Sequence, residues 1–131
     1  MSPLQAKILE IIVEKKQLRC GEIVFAFPET REIILNGMPK YFVLELADLC
    51  DPFVVSAALS NLQRLELINI INFGFSNMDY EELKSHSFVQ KRKKYFNEMQ
   101  EVFTVKLNER GIEINDYGLS FARACMNKGK F

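Results

Sequence analysis

The stretch VVSAALSNLQRLELINI, residues 54–70, runs a helical pattern of apolar residues directly into a short apolar strand. Asp51 and Pro52 stand just before it, and an Asp N-cap followed by proline is a common start of a helix. After Leu67 the run INIINFGF is rich in β-branched and aromatic residues, which favours a strand ending near Gly74. The two elements together predict a fold in which helices pack against a sheet.

The size and charge of the chain limit the class of protein. It has 131 residues, of which 48% are hydrophobic, so we expect a single compact domain over residues 1–131. Its 17 basic residues are balanced by 17 acidic ones, which removes the overall attraction to nucleic acid on which small DNA-binding domains usually depend. Any cationic surface must therefore be local.

The cysteines and the apolar segments indicate the compartment. Cys20, Cys50 and Cys125 are odd in number, far apart and without a CxxC pair, so we expect reduced thiols and neither a disulfide framework nor a zinc site. No signal-like start and no apolar stretch long enough to cross a bilayer is present. The prediction is a cytoplasmic protein with no metal, no cofactor and no membrane partner.

The first half of the chain predicts one helix, two strands and a second helix. Ser2 can cap a helix that begins at Pro3, and residues 22–27 and 31–35 are interpreted as short strands. Residues 41–50 could form a strand or a helix, but their apolar spacing before Asp51 fits a short helix that ends at a turn. With the helix that follows, this predicts a helix-turn-helix.

The second half predicts a helical segment, a hairpin and a closing helix. Residues 79–100 contain helix-forming residues with spaced apolar positions, and a break is expected around 85–87. The alternating segment 102–107, the turn NERG and the segment 111–115 predict a β-hairpin. YGLSFARACM, residues 117–126, predicts a helix whose Cys125 packs into the core.

This order of elements resembles a winged-helix domain. LADLCDPFVVSAALSNLQRLELI is similar to the helix-turn-helix of that class, and RGIEINDYGLSFARA is similar to the place where its last wing strand meets the next helix. The resemblance implies an α+β fold with a small antiparallel sheet and a helical insertion, residues 79–100, near the wing.

A narrower resemblance is carried by three motifs. SPLQAKILEII at the start, LSNLQRLELI in the middle and YGLSFARACM at the end are similar to the C-terminal region of the abortive infection alpha family of bacterial proteins. The resemblance covers most of the chain and implies a role in phage defence. It supplies no catalytic residues.

The helix in the opening stretch is a candidate DNA reader, but its charge argues against that role. We expect one set of side chains to face inward, namely Phe53, Val54, Ala57, Ala58, Leu62 and Leu65. We expect a second set to face outward, namely Ser56, Ser60, Asn61, Gln63 and Arg64. From residue 41 to residue 82 there is one cation, Arg64, against seven acids, a net charge of minus six that would repel phosphates. The pattern therefore favours a helix that packs within a winged-helix fold and contacts another protein rather than DNA.

A basic cluster lies further along the chain. Lys91, Arg92, Lys93 and Lys94 stand together beside two aromatic residues, and this face could touch a phosphate backbone or an acidic protein. The alternative is an ordinary solvated run of charge, because four consecutive residues spread around a helix.

Enzyme chemistry finds little support in the residues. His86 is the only histidine, and it stands beside Ser85 and Ser87 without a GxSxG elbow, an HExxH motif or nearby ligands, so it is interpreted as a surface residue. The aromatic residues are numerous, and Phe25, Phe27 and Phe75 are candidates for a partner-binding surface, although core packing is the default interpretation for each.

Three functional hypotheses follow. The first is a non-catalytic protein-interaction or self-association module of a phage-defence protein, with a protein partner or a second copy as its ligand. The alternative is a DNA-binding winged-helix regulator that docks with Arg64 and residues 91–94. A third class, an enzyme that uses His86, is retained for a site assembled across subunits.

Overall fold

The computed structural model describes residues 2–26, 32–33, 39–99 and 104–127. The described elements, in chain order, are α1 (Pro3–Lys15), β1 (Gln17–Ala26), β2 (Glu32–Ile33), β3 (Tyr41–Val43), a 3-10 helix (Leu44–Leu46), α2 (Pro52–Arg64), β4 (Ile68–Ile71), α3 (Glu81–Lys84), α4 (Ser87–Met99), β5 (Thr104–Ile114) and α5 (Asp116–Asn127). The mixed α+β fold predicted from the sequence is confirmed.

All described strand pairs are antiparallel, and they form one sheet. Its strand order is β2-β1-β5-β4, with β3 paired to the same edge of β1 as β2. The longest ladder joins β1 to β5 over ten residue pairs, from Gln17 opposite Glu113 to Ala26 opposite Thr104. The small antiparallel sheet is therefore confirmed, and the order β1-β5-β4 is compatible with a winged helix.

The sheet lies between two hydrophobic clusters. The larger cluster packs α1, α2 and part of α5 against one face of the sheet, with Leu59 and Leu62 fully buried. The smaller cluster packs α3 and α4 against the other face through Leu83 and Val89. Because side chains alternate along a strand, Phe42 joins the smaller cluster while its neighbours join the larger one.

The hairpin predicted around NERG is wrong. Residues 104–114 form a single strand, and Arg110 and Gly111 pair in register with β1 at the position where the turn was expected. Gly111 is required by packing rather than by a turn, because a Cβ atom there would lie 2.5 Å from Cε2 of Phe75. Phe75 is accordingly buried, which confirms the default interpretation of core packing and rules it out as part of a partner-binding surface.

The helix predicted over residues 41–50 is wrong in its first part. Tyr41–Val43 is a strand paired with β1, and only Leu44–Leu46 is helical, as one 3-10 turn. All three strand residues are buried, because both faces of the sheet are covered there. A continuous apolar run is typical of such a strand and of a buried helix alike. The predicted helix-turn-helix therefore has a single 3-10 turn in place of its first helix.

Helix α2 buries a different face from the predicted one. Its buried side chains are Val55, Ser56, Ala58, Leu59 and Leu62, whereas four residues predicted to face inward are exposed, namely Phe53, Val54, Ala57 and Leu65. Ser56, predicted to face outward, is 5% exposed, and its hydroxyl accepts a hydrogen bond from the backbone N–H of Tyr41 at 3.0 Å. This bond to β3 explains how a polar residue enters the core.

Several local predictions are confirmed. Helix α1 begins with a capping box between Ser2 and Gln5, and Asp51 caps α2 through the N–H of Phe53. The break expected around residues 85–87 separates α3 from α4.

Other predictions are modified or remain open. The two predicted early strands correspond to β1, which begins earlier at Gln17, and to β2; residues 27, 31 and 34–35 of these predictions lie outside the described residues. Helices α3 and α4 lie between β4 and β5, inside residues 79–100. That the whole chain is one domain with an insertion there stays a prediction.

Ser56→Ala should lower the free energy of unfolding by about 1–3 kcal/mol, because it leaves the buried N–H of Tyr41 without its acceptor. Urea unfolding followed by circular dichroism measures the change. Ser60→Ala is the matched control, since Ser60 is exposed on the same helix and its loss should change the free energy by less than about 0.5 kcal/mol. Equal effects of the two variants would contradict the assignment of the buried face.

Candidate functional site

An aromatic stack joins α2 and α4 at the β3 edge of the sheet. The rings of Phe42 and Phe88 stack with centroids 5.1 Å apart and an interplanar angle of 18°. The ring of Phe53, at the start of α2, packs in a T-shaped arrangement with the ring of Phe88, and their centroids are 6.2 Å apart. The stack therefore runs from β3 through α4 to α2 and brings the beginnings of α2 and α4 together.

Arg92 extends this stack to the surface. Its guanidinium carbon lies 5.2 Å from the ring centroid of Phe53 and 5.5 Å from that of Tyr95, both within the range of a cation–π interaction. Phe53 is 39% exposed and Tyr95 is 53% exposed. We call Phe53, Phe88, Arg92 and Tyr95 the α2–α4 seam, a surface on which two exposed aromatic rings flank one cation.

The basic run divides between two environments. Lys91 and Lys94 are exposed and stand three residues apart on α4, so they share one side of the helix. Arg92 and Lys93 are half-buried. The run is therefore not a uniform solvated stripe, because one of its members packs on the rings of the seam.

The predicted contacts on α2 lie at the other end of that helix. Ser60 and Arg64 are exposed and Asn61 is half-buried, and the guanidinium of Arg64 donates a hydrogen bond to the side-chain oxygen of Asn61. Arg64 is eleven residues from Phe53, which is about 16 Å along a helix. The structure thus brings Arg92 to the beginning of α2 and leaves Arg64 at its end.

The acidic character of residues 41–82 is weaker than the sequence indicated. Both oxygens of the Glu45 carboxylate accept hydrogen bonds from Arg19, one from its backbone N–H at 2.8 Å and one from Nε at 2.9 Å. Arg19 lies outside residues 41–82, so the net charge of that segment did not include the cation that neutralises Glu45. Asp51 remains exposed at the start of α2 and Glu66 remains exposed just after its end.

His86 has a structural role. Its Nδ1 accepts a hydrogen bond from the N–H of Phe88 at 3.1 Å, and its ring lies 4.9 Å from that of Phe42. It is half-buried, so its interpretation as a surface residue is only partly realised. The hydroxyl of Ser85 donates to the carbonyl oxygen of Glu82 at 3.3 Å. Neither group is arranged as a nucleophile and its base.

The cysteines differ in their surroundings. Cys20 is fully buried, and this burial raises the pKa of its thiol far above the ordinary value, so it stays protonated and unreactive. Cys50 is exposed. Cys125 is half-buried and lies outside the two hydrophobic clusters, so its predicted place in the core is only partly realised.

The described residues contain neither a cluster of metal ligands nor a helix suited to crossing a membrane. Within residues 2–26, 32–33, 39–99 and 104–127, no three His, Cys, Asp or Glu side chains come close enough together to hold a metal ion. Over the same ranges, none of the helices has the length and hydropathy of a bilayer span.

Comparison with known proteins places the chain in a family. The family model of abortive infection alpha matches residues 1–125, so the chain belongs to the abortive infection alpha family. The match covers nearly the whole chain and is not specific to a C-terminal region, which the three motifs had indicated. Membership gives the chain a phage-defence context. Comparison with curated proteins finds no match.

A solved structure supports the fold independently. An uncharacterized protein from the hydrocarbon-degrading marine bacterium Alcanivorax borkumensis SK2 is similar, with a TM-score of 0.57 and 14% sequence identity. The similarity covers 97% of this chain and 87% of the other. At this identity the likeness concerns the fold alone.

Arg92→Ala should lower the free energy of unfolding by about 1 kcal/mol, because it removes the guanidinium and the aliphatic stem that pack on two rings. Lys91→Ala, the matched control on the same helix, should change it by less than about 0.5 kcal/mol, since Lys91 is exposed. Chemical unfolding of both variants measures the difference. If the lysine variant loses as much stability as the arginine variant, the seam is not a packed contact.

Proposed function

We propose that this chain is a non-catalytic protein-interaction module of a phage-defence protein, and that the α2–α4 seam docks its partner. The observation that carries the proposal is the exposure of Phe53 and Tyr95 on either side of Arg92. Aromatic residues and arginine are the side chains most enriched in protein interfaces and in their energetic hot spots. A rigid aromatic pair around a cation is therefore well suited to anchor a protein.

The chemistry of the seam indicates the kind of partner. Lys91 and Lys94 add two exposed charges on the helix that carries Arg92. A complementary segment would present carboxylates to these cations and an apolar side chain to the rings. Complementary charge speeds the encounter and fixes orientation, while the apolar anchor supplies most of the affinity.

The non-catalytic part of the proposal is supported by the way the chain uses its histidine. Nδ1 of His86 is engaged as an acceptor at the start of α4, and the ring lies against Phe42. A general base would need its nitrogen within reach of a substrate proton. The position of His86 serves the helix and the aromatic stack instead.

A second candidate, a DNA-binding winged-helix regulator, is favoured by one specific observation. Helix α2 precedes the edge strand β4 in a sheet ordered β1-β5-β4, and its second half exposes Ser60 and Arg64. Exposed hydroxyl and guanidinium groups such as these can contact base edges or phosphates. The separation of Arg64 from the basic run makes this the weaker candidate, because phosphate contacts would have to come from two distant places.

Reversing the exposed charges tests the docking surface. The double variant Lys91→Glu with Lys94→Glu should reduce the capture of an acidic partner from phage-infected cells by at least about tenfold, because it places carboxylates opposite carboxylates. It should also raise the efficiency of plaquing in cells that rely on this protein for protection. Lys7→Glu with Lys15→Glu is the matched control, since these lysines are exposed on α1.

The comparison of the two double variants decides the outcome. Circular dichroism of both proteins first establishes that the fold is retained. If the α4 variant captures the partner and protects cells as well as the α1 variant does, the seam is not the docking surface.

DNA binding is tested with a labelled duplex at about 50 mM and about 200 mM salt, where proteins that contact phosphates lose affinity steeply. We expect no binding at either salt concentration. Binding at low salt that weakens in Arg64→Ala, with a flatter dependence on salt, would instead support the regulator.

A further inference from the structure

The strand β4 has an open edge. It lies at one end of the sheet and pairs with β5 on one side, with Ile68 opposite Ile114 and Ile71 opposite Gly111. Among the described residues no strand pairs with its other side. A strand in this position presents a row of backbone N–H and C=O groups that can bind a further strand.

The segment after β4 turns away from this edge. Phe75 packs over Gly111 on β5, and the N–H of Phe75 donates to the hydroxyl of Tyr80 at 3.0 Å. That hydroxyl donates in turn to the carbonyl oxygen of Arg110 at 2.8 Å. The segment is thereby held over the face of the sheet, and it leaves the edge of β4 uncovered.

Although β4 is only four residues long, its sequence contains no side chain that would oppose pairing. Residues 67–75, LINIINFGF, contain no charged residue and no proline, whereas exposed edges are normally guarded by lysine, proline or a bulge. An open groove of about 770 Å³ runs beside the strand, with Gln63 and Tyr117 among its lining residues. Two large apolar side chains are exposed in this part of the chain: Phe73, two residues after β4, is 65% exposed, and Tyr117, which lines the groove, is 63% exposed.

We propose that β4 pairs with β4 of a second copy of this chain, in antiparallel register about a two-fold axis through Ile70. In this register Ile68 stands opposite Asn72 of the second copy, and Asn69 stands opposite Ile71. Residues that stand opposite each other point to the same face of a sheet, and side chains alternate along each strand. The buried faces of the two sheets are therefore continuous only in registers that pair even-numbered residues with even-numbered ones. The buried Ile68 and the partly buried Ile70 then lie on the core face in both copies.

The charge around the strand favours a second copy over a charged partner. A two-fold axis brings like groups together at its centre, so a charged strand would repel itself, and this strand has no charge. Two acids line the groove, Glu66 and Asp116. Glu66 would lie eight positions from its counterpart, about 26 Å along the strands. Asp116 lies at the same end of β4 because Ile114 pairs with Ile68, so like charges stay far apart. An uncharged strand offers nothing that selects an acidic or basic peptide.

The antiparallel arrangement also uses the exposed aromatic residues. Phe73 follows β4, while Tyr117 lies beside the beginning of the strand in the groove. Reversing one copy against the other brings the Phe73 end of each copy to the Tyr117 end of its neighbour. The pairing would thus cover both exposed rings and add apolar area to the short ladder between the two strands.

This proposal is independent of the docking function assigned to the seam. The seam lies at the β3 edge of the sheet, and β4 is the opposite edge. A negative result for one surface therefore does not affect the proposal for the other.

Analytical ultracentrifugation of the full chain over a range of about 1 to 500 μM tests the pairing, and a dimer should appear within this range. Asn69→Lys should raise the dissociation constant at least about tenfold, because it places a lysine on each strand near the axis. Asn69 is exposed, so the fold should survive. Ser60→Lys, with the same charge change at an exposed position of α2, should leave the dissociation constant unchanged.

Hydrogen exchange provides a second readout of the same surface. The amides of residues 68–72 should become protected as the concentration rises, and those of the seam should not. A protein that is monomeric at every concentration overturns the proposal and leaves an extended segment of another protein as the occupant of β4. A dimer that resists Asn69→Lys and shows no protection of β4 overturns it as well, because the copies then meet elsewhere.

Discussion

The antiparallel ladder between β1 and β5 is the interaction on which the rest of the structure depends. Its ten residue pairs bring together backbone from opposite halves of the chain and satisfy the hydrogen-bonding groups that the two strands direct toward each other. Side chains alternate between the two faces, so residues of this ladder contribute both to the large cluster under α1 and α2 and to the small cluster under α3 and α4. It also determines that β3 and β4 lie at opposite edges.

A few polar contacts determine which segments of the chain lie at the β3 edge and the β4 edge of the sheet. Glu45 accepts two hydrogen bonds from Arg19 and so ties the 3-10 turn to β1, beside the place where α2 begins. Tyr80 holds the segment after β4 over the face of the sheet through its bonds to Phe75 and Arg110. Because that segment crosses the sheet, α4 lies at the β3 edge, and no strand among the described residues pairs with the outer edge of β4.

The two edges then differ in chemistry, which is the basis for assigning them different partners. The seam presents aromatic rings around a cation, with two further lysines beside it, and suits a partner of opposite charge. The edge of β4 is uncharged and suits a copy of itself. A module built in this way could hold its partner while it assembles, a useful combination in a phage-defence protein.

The sequence by itself determined those features that depend on neighbouring residues: the capping box of Ser2, the start of α2 at Asp51, the break before α4 and the mixed α+β class. Only the tertiary structure decided that residues 104–114 are one strand, that Ser56 is buried and that Arg92 packs on rings. The reason is physical. A local pattern shows which side chains share a face and where a turn is favourable, but the buried face depends on strands and helices that are distant in the chain.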